Sequence, residues 1–284
     1  MNVLRYKMKI NDLKNYIGFG IAGNFAHHLD QAGEAKDFVD VIVDEENAPK
    51  GIFPFYAKYT NSFLNIFPLS NNVINIPKDE SYKVQVEPEV ALVCDIIYKE
   101  EKVTDIKINY FTAYNDCSVR EPAAPKISMK KNWGENSKGV SLDFIKVDKF
   151  DENGIMDDYA IASFLKDKDG LHEYGQDSSI NTYSYFHNKL KNWIINKLNT
   201  QKDFGPLEDL NIIIKENSYP KNMIIAIGAT RYTDFGEHRF LQKEDEIYVC
   251  LYNKNKYTHE EIKNNIKNKN KKLDDTSILH QIVI

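Results

Sequence analysis

The chain has little that would carry it to a membrane, a secretory route or nucleic acid. No stretch approaches the roughly 18 consecutive apolar residues of a membrane helix, and Met1–Lys9 lacks the apolar core of a signal peptide. Cysteine is sparse. Cys94, Cys117 and Cys250 show no metal-type spacing and leave one thiol unpaired, which fits free thiols in the cytoplasm. Positive charge is not in excess: the net charge of −5 argues against a nucleic-acid binder, whose footprint would be basic. No Gly-x-x-x-x-Gly-Lys cradle is present, so the common phosphate-binding loop is absent. There is no internal repeat and no Pro- or Ser-rich linker. Strand and helix patterns do not alternate, which argues against a Rossmann-type sheet. What remains is an ordinary globular composition, 42% hydrophobic over 284 residues, with ample material for a core in one large domain or two smaller ones.

The most informative pattern is acidic. Glu87-Pro88-Glu89 precedes an apolar, β-branched run, Val90–Tyr98, and a similar run, Ile106–Tyr114, leads into Asn115-Asp116. Residues i and i+2 of a strand share a face, so Glu87 and Glu89 project together. The charged turn Lys99-Glu100-Glu101-Lys102 between the runs predicts a hairpin that returns Asp116 beside them. Three carboxylates so placed repel unless a cation joins them. An all-oxygen set suits a hard divalent ion, Mg²⁺ or Mn²⁺, with Ca²⁺ as a substitute in vitro.

Elsewhere the pattern is strand-rich with few helices, a mainly β (α+β) class. Residues 15–22 read as a short buried strand, followed by a turn at Gly23-Asn24. Residues 25–39 read as a short helix or a loop. Residues 117–145 show little periodicity, and long irregular segments in compact domains are often functional. Apolar residues at a 3.6 period predict a helix over Thr182–Leu198. Strands are expected at Asn211–Lys215, Met223–Gly228 and Glu246–Tyr252. Thr258 and Glu261 form a capping box that opens a Lys- and Asn-rich helix, whose neighbouring acids favour a solvated role over nucleic acid. Ser277–Ile284 reads as an edge strand. The boundaries are a catalytic domain over 1–255 and a C-terminal helix and edge strand over 256–284.

Other residues are candidates for chemistry. His27 and His28 point apart on either regular element, so one of them as a general base is the better functional reading than a two-histidine metal site. Lys138 and Arg120 are each either surface residues or partners for a substrate carboxylate, Arg120 through two parallel hydrogen bonds. Gly228-Ala229-Thr230 ends an apolar strand, where a backbone N–H and the Thr230 hydroxyl either face a ligand or simply enter a turn.

Taken in order, these segments resemble the fumarylacetoacetate hydrolase family. Gly23-Asn24-Phe25-Ala26-His27-His28 is similar to that family's Gly-x-Asn-Tyr-x-x-His segment. Phe55-Tyr56-Ala57-Lys58 and Ile74-Asn75-Ile76-Pro77 are similar to its Phe-x-Lys and Ile-x-x-Pro stretches. Glu87-Pro88-Glu89 resembles its metal strand. Asn115-Asp116-Cys117-Ser118-Val119-Arg120-Glu121 looks like its Asn-Asp-x-Ser-x-Arg-Asp signature. Ser137-Lys138-Gly139 stands at its Gly-Lys, and Phe240–Glu246 resembles its Leu-x-x-Gly-Asp stretch. The resemblance implies a β-roll with few helices, usually a homodimer, with Mg²⁺ or Mn²⁺ on Glu87, Glu89 and Asp116. It implies a metal-dependent hydrolase or lyase acting on a C–C bond beside a keto group in a small 2-oxo or diketo acid, decarboxylation included. His28 would be the base, Lys138 would steady negative charge, and Arg120, Gly228 and Thr230 would bind substrate. Departures mark a divergent bacterial branch. Gln31 stands where the family often places the Glu that orients its histidine, with Asp30 or Glu34 as replacements, and a non-enzymatic metal-binding relative is the alternative.

Overall fold

The structure, a computed structural model, describes residues 5–25, 28–43, 45–79, 81–268 and 273–284. In chain order its elements begin with β1 (Arg5–Lys7), β2 (Ile17–Ala22), the single helical turn α1 (His28–Gln31) and β3 (Gly51–Tyr56). The short β4 (Leu69–Ser70), β5 (Val73–Ile74) and β6 (Lys83–Gln85) precede the long hairpin of β7 (Pro88–Lys99) and β8 (Lys102–Asn115). Then come β9 (Ser118–Glu121), α2 (Ile127–Lys131), β10 (Lys138–Val140), β11 (Asp143–Lys146), β12 (Tyr159–Asp167) and β13 (Gly170–Ser179). The chain continues through α3 (His187–Thr200), α4 (Leu210–Glu216), β14 (Asn222–Ala229), α5 (Asp234–His238), β15 (Glu246–Asn253), α6 (His259–Lys267) and β16 (Thr276–Val283).

β7 and β8 sit inside the larger sheet, whose order is β1-β11-β8-β7-β14-β2-β3, with β10 bridging β8 and β4. The smaller sheet runs β13-β12-β15-β16-β5, and β6 pairs β9 in a separate ribbon. The tip of the hairpin is built from Glu100 and Glu101, both with positive φ (50° and 64°). Two successive left-handed residues give a turn whose twist matches that of the strands. Both faces of β7 are covered, so it reads as a nearly continuous apolar run rather than an alternation. Val90, Leu92, Cys94 and Ile96 face the main core, which also holds Phe111, Tyr159, Val249 and Leu279. Ala91 and Val93 face a second core with Phe55, Tyr114 and Ile224. By the same period of two, Glu87 and Glu89 belong to that second face.

Four expectations are corrected. Asn211–Lys215 is helical: the Asp209 carboxylate accepts from the N–H groups of Asn211 and Ile212, and Leu210, Ile213 and Ile214 are buried at helical spacing. The cap and the spacing outweigh the β-branched run. The helix expected from Thr182 begins at His187, because Asn24 holds the preceding segment extended: its Oδ1 accepts from Tyr185 N–H and its amide donates to the Tyr185 carbonyl. Residues 117–145 are irregular only in part, being broken up by four short elements. These are β9, α2, β10 and the start of β11, whose partners are distant in sequence. β16 is no edge strand, since it lies between β15 and β5.

From this inner position β16 reaches the end of the central hairpin. Ser277, Leu279, Gln281 and Val283 form its alternating buried face, and Thr276 is buried as well. Ser277 Oγ accepts from Ala113 N–H at 3.1 Å and lies 2.9 Å from Thr112 Oγ1. Gln281 accepts from Asn115 Nδ2 at 3.1 Å and donates to the Val73 carbonyl at 2.9 Å. Asn115 Oδ1 in turn accepts from the N–H groups of Glu87 (3.2 Å) and Cys117 (3.1 Å). Asn115→Ala orphans buried groups on both sides, and is expected to lower stability by about 2–4 kcal/mol. Urea unfolding beside an exposed control, Asn188→Ala, measures this; a loss no larger than the control's would show that Asn115 is not a clamp.

Candidate functional site

The end of the hairpin gathers the acids. Pro88 pairs with Asn115, and Asp116 N–H donates to the Glu87 carbonyl at 2.9 Å, which sets Asp116 beside Glu87. Glu87, Glu89 and Asp116 are all buried, and one oxygen of each lies within 4.8 Å of the others. Glu89 is fixed from the far side. The register between β14 and β7 shifts between Ala226 and Ala229, and within that bulge Gly228 (φ 113°) donates its N–H to Glu89 Oε2 at 2.8 Å. That backbone conformation favours glycine, and a Cβ there would also meet the Asn24 side chain at 3.1 Å. The Thr230 N–H is committed to the Pro88 carbonyl at 3.2 Å. Gly228 and Thr230 therefore support the acidic strand through their N–H groups, rather than directing those groups at a ligand.

Cations surround the acids. Lys138 reaches Asp116 Oδ1 at 2.5 Å and its carbonyl at 3.2 Å. Arg120 spans Glu87 (2.6 Å), Glu34 (2.7 Å), Gln85 Oε1 (2.8 Å) and the Tyr232 hydroxyl (2.9 Å). Lys131, unremarked in the sequence, lies between Glu87 Oε2 (2.5 Å) and Asp116 Oδ2 (2.7 Å). Lys130 joins Asp37 at 2.5 Å and approaches Glu34 at 3.7 Å. The guanidinium offered for a substrate carboxylate is thus engaged by protein groups, and Lys138 is a partner of Asp116. Lys131 was missed because it ends a short helix in a segment without apolar periodicity. The signal available was the Lys130-Lys131 pair beside Asn-Trp-Gly, and it is weak.

These contacts shift protonation in opposite directions. Burial would raise the Glu87 carboxyl, but Lys131 and Arg120 outweigh it and hold it well below the usual range. Glu89 is raised well above that range by burial, with Asp116 and Glu87 adding repulsion. Burial opposes the charge on Lys131, yet Asp116 and Glu87 more than restore it. Burial lowers Lys138 against the pull of Asp116.

His28 lines a small cavity with Glu34, Glu87, Glu89, Lys131 and Phe53, enclosing about 10 Å³, room for about one water. Neither ring nitrogen has a hydrogen-bond partner among the described residues. Glu34 does not orient it, being held by Arg120. Gln31 faces elsewhere: its amide bonds Glu237 at 3.1 Å and accepts from Tyr232 N–H at 3.0 Å. The other candidate histidine, His27, lies outside the described residues. Burial lowers His28 from 6.5 to about 4, with Glu87 opposing and Arg120 assisting.

A family model described as "Family of unknown function (DUF5718)" matches residues 34–283. The chain belongs to this family. No curated protein matches the DUF5718 chain. Among solved structures it is similar to Cg1458 with an inhibitor, at TM-score 0.56 and 17% identity over 94% of this chain and 76% of that one. It is similar to a fumarylacetoacetate hydrolase family protein from Yersinia pestis CO92, at TM-score 0.51 and 14% identity over 94% of this chain and 93% of that one. A third is 2-keto-3-deoxyarabinonate dehydratase, at TM-score 0.52 and 14% identity over 94% and 73%. At such identities the likeness is one of fold. The DUF5718 chain has the fumarylacetoacetate-hydrolase-like fold, mainly β with few helices, that the ordered motifs imply.

The buried histidine gives a pH dependence with a definite sign. Well above 6.5 His28 is neutral in both the folded and unfolded chain. As pH falls toward 4 only the unfolded chain takes up the proton, so stability is progressively lost over that window. The loss reaches about 3 kcal/mol at most. Urea unfolding of wild type and His28→Gln across this range should show the extra loss in wild type alone. Parallel curves would mean that His28 is solvated.

Proposed function

We propose that this protein is a divalent-metal-dependent enzyme acting on a C–C bond next to a keto group in a small 2-oxo or diketo acid, by hydrolysis or by lyase chemistry such as decarboxylation. The observation that carries the reading is the buried triad of Glu87, Glu89 and Asp116, within one ion's reach of each other, at the end of the central hairpin of this fold. The donor set fits a hard ion: every ligand atom is a carboxylate oxygen, which suits Mg²⁺ or Mn²⁺. When bound, such an ion stabilises negative charge on a keto oxygen. The similar dehydratase is named for a 2-keto acid substrate, which supports the substrate class.

The chain's own residues do the rest. Lys138 fixes one Asp116 oxygen, Gly228 fixes one Glu89 oxygen, and Arg120 ties Glu87 to Glu34, so the acids are presented in one orientation. His28, neutral at physiological pH, is the group free to take a proton, with both ring nitrogens uncommitted to described protein groups. The site belongs to a cytoplasmic homodimer in this reading. Among the described residues no helix is long and apolar enough to cross a membrane. A second reading, a metal-binding relative without turnover, is favoured by one observation: no described carboxylate hydrogen-bonds His28, and Gln31 is tied to Glu237 and Tyr232 instead.

A panel of oxaloacetate, acetylpyruvate and fumarylpyruvate, assayed with and without EDTA, separates the two. Chelator-sensitive turnover of at least one member is expected. His28→Ala should then lower kcat by roughly 10²- to 10⁴-fold, the usual contribution of a general base, with Mn²⁺ affinity retained. Absence of chelator-sensitive turnover across the panel would favour the second reading.

A further inference from the structure

Lys131 occupies an unusual place for a lysine. Its side chain is 3% exposed, and its ammonium lies 2.5 Å from Glu87 Oε2 and 2.7 Å from Asp116 Oδ2. These are two of the three carboxylates of the triad. The placement is built into the fold. Ile127 at the start of α2 is buried and its N–H donates to the Pro206 carbonyl at 3.1 Å. Just after the helix, Asn132 Nδ2 donates to the carbonyls of Phe55 (2.8 Å) and Ile66 (2.9 Å), and Trp133 donates to the Asn75 carbonyl at 2.8 Å. The stem of Lys131 therefore leaves a fixed backbone. Its ammonium also lies 5.4 Å from the centre of the Phe53 ring, a face that attracts cations.

An ammonium at these distances fills the gap between the two oxygens. A divalent ion binding the same oxygens at about 2.1 Å would have to overlap the ammonium or lie against it, and two cations so close repel strongly. Ion and ammonium exclude one another at Glu87 and Asp116. The other cations pose no such conflict: Lys138 uses the second Asp116 oxygen and Arg120 the second Glu87 oxygen. Glu89 is approached by none of these cations in an ion pair, so it remains available to either occupant.

We propose that the Lys131 ammonium is the resident cation of the triad, exchangeable for a divalent ion, so that metal binds only by displacing this side chain. The inference rests on reading the triad as a cation site. It adds that this chain neutralises its acids without metal and sets a threshold concentration for loading. Displacement would also return a free ammonium beside the ion, where it could pair with the carboxylate of an incoming oxo acid.

The test compares wild type with Lys131→Met, which keeps the stem and removes the charge, and with Lys131→Gln. Mn²⁺ affinity is measured by calorimetry and by loss of the free-ion electron paramagnetic resonance signal, and melting is followed with EDTA or with millimolar Mn²⁺. Both variants should bind Mn²⁺ at least about tenfold more tightly than wild type. They should melt lower than wild type in EDTA and recover with Mn²⁺, while wild type changes little. Equal affinity in all three proteins overturns the exchange and leaves the triad a metal site. Binding by none overturns both the exchange and the metal reading. Failure of both variants to fold even with Mn²⁺ overturns the exchange, because it makes the ammonium indispensable.

Discussion

Mutual repulsion of Glu87, Glu89 and Asp116 is the constraint around which the molecule is arranged. A carboxylate out of water is unfavourable, and three within one ion's reach are more so. The sequence answers with cations from three separate segments: Arg120 on β9, Lys131 at the end of α2 and Lys138 opening β10. None is near the acids' own strand in sequence except through Asp116. Buried ion pairs of this kind contribute little net stability, since desolvation offsets most of the attraction. Removing one partner is strongly unfavourable all the same, because it leaves a charge buried alone.

The same demand explains several small residues. Phe53 and Phe55 on β3 lie against Gly20 and Gly18 on β2, where a Cβ would meet the rings at 2.3 Å. The two rings also lie 5.4 Å from Lys131 and 5.6 Å from Lys138. Two glycines in a strand interior weaken it locally, but they admit the aromatic surface that packs beneath both ammonium groups. β2 is thereby linked to the acids through an intervening aromatic layer, with no direct contact required.

The acidic cluster was legible because it depends on two regular features, the period of two in Glu87-Pro88-Glu89 and a hairpin whose charged tip lies midway between two apolar runs. Fold class was legible for the same reason, as was the capping box of Thr258 and Glu261, where the carboxylate bonds Thr258 N–H at 2.8 Å. Lys131 and Gln281 were not. Each acts at long range, from an element whose place is set by remote partners rather than by local pattern. Gln281 did leave a trace, as a polar residue on the inward phase of an alternating strand. Asn211–Lys215 misled because three successive isoleucines favour a strand, while the aspartate that decides the matter stands two residues earlier. The Gln31 departure already signalled a missing acid partner for His28; that Glu34 does not replace it shows only once Glu34 is seen bonded to Arg120.

The inward position of β16 has a consequence for how the chain acquires its site. The last strand supplies Gln281 to the Asn115 clamp, while Ser277 takes the Ala113 N–H beside it. The β7–β8 hairpin joins neighbouring residues, whereas the clamp at its open end needs a side chain 166 residues away from Asn115 in sequence. Pairings this distant in sequence form slowly, and until they form, strand edges and apolar surface are exposed. Without β16 the open end of the hairpin, opposite its Glu100-Glu101 tip, lacks the Gln281 contact to Asn115. With β16 seated between β15 and β5, the acids lie in an interior.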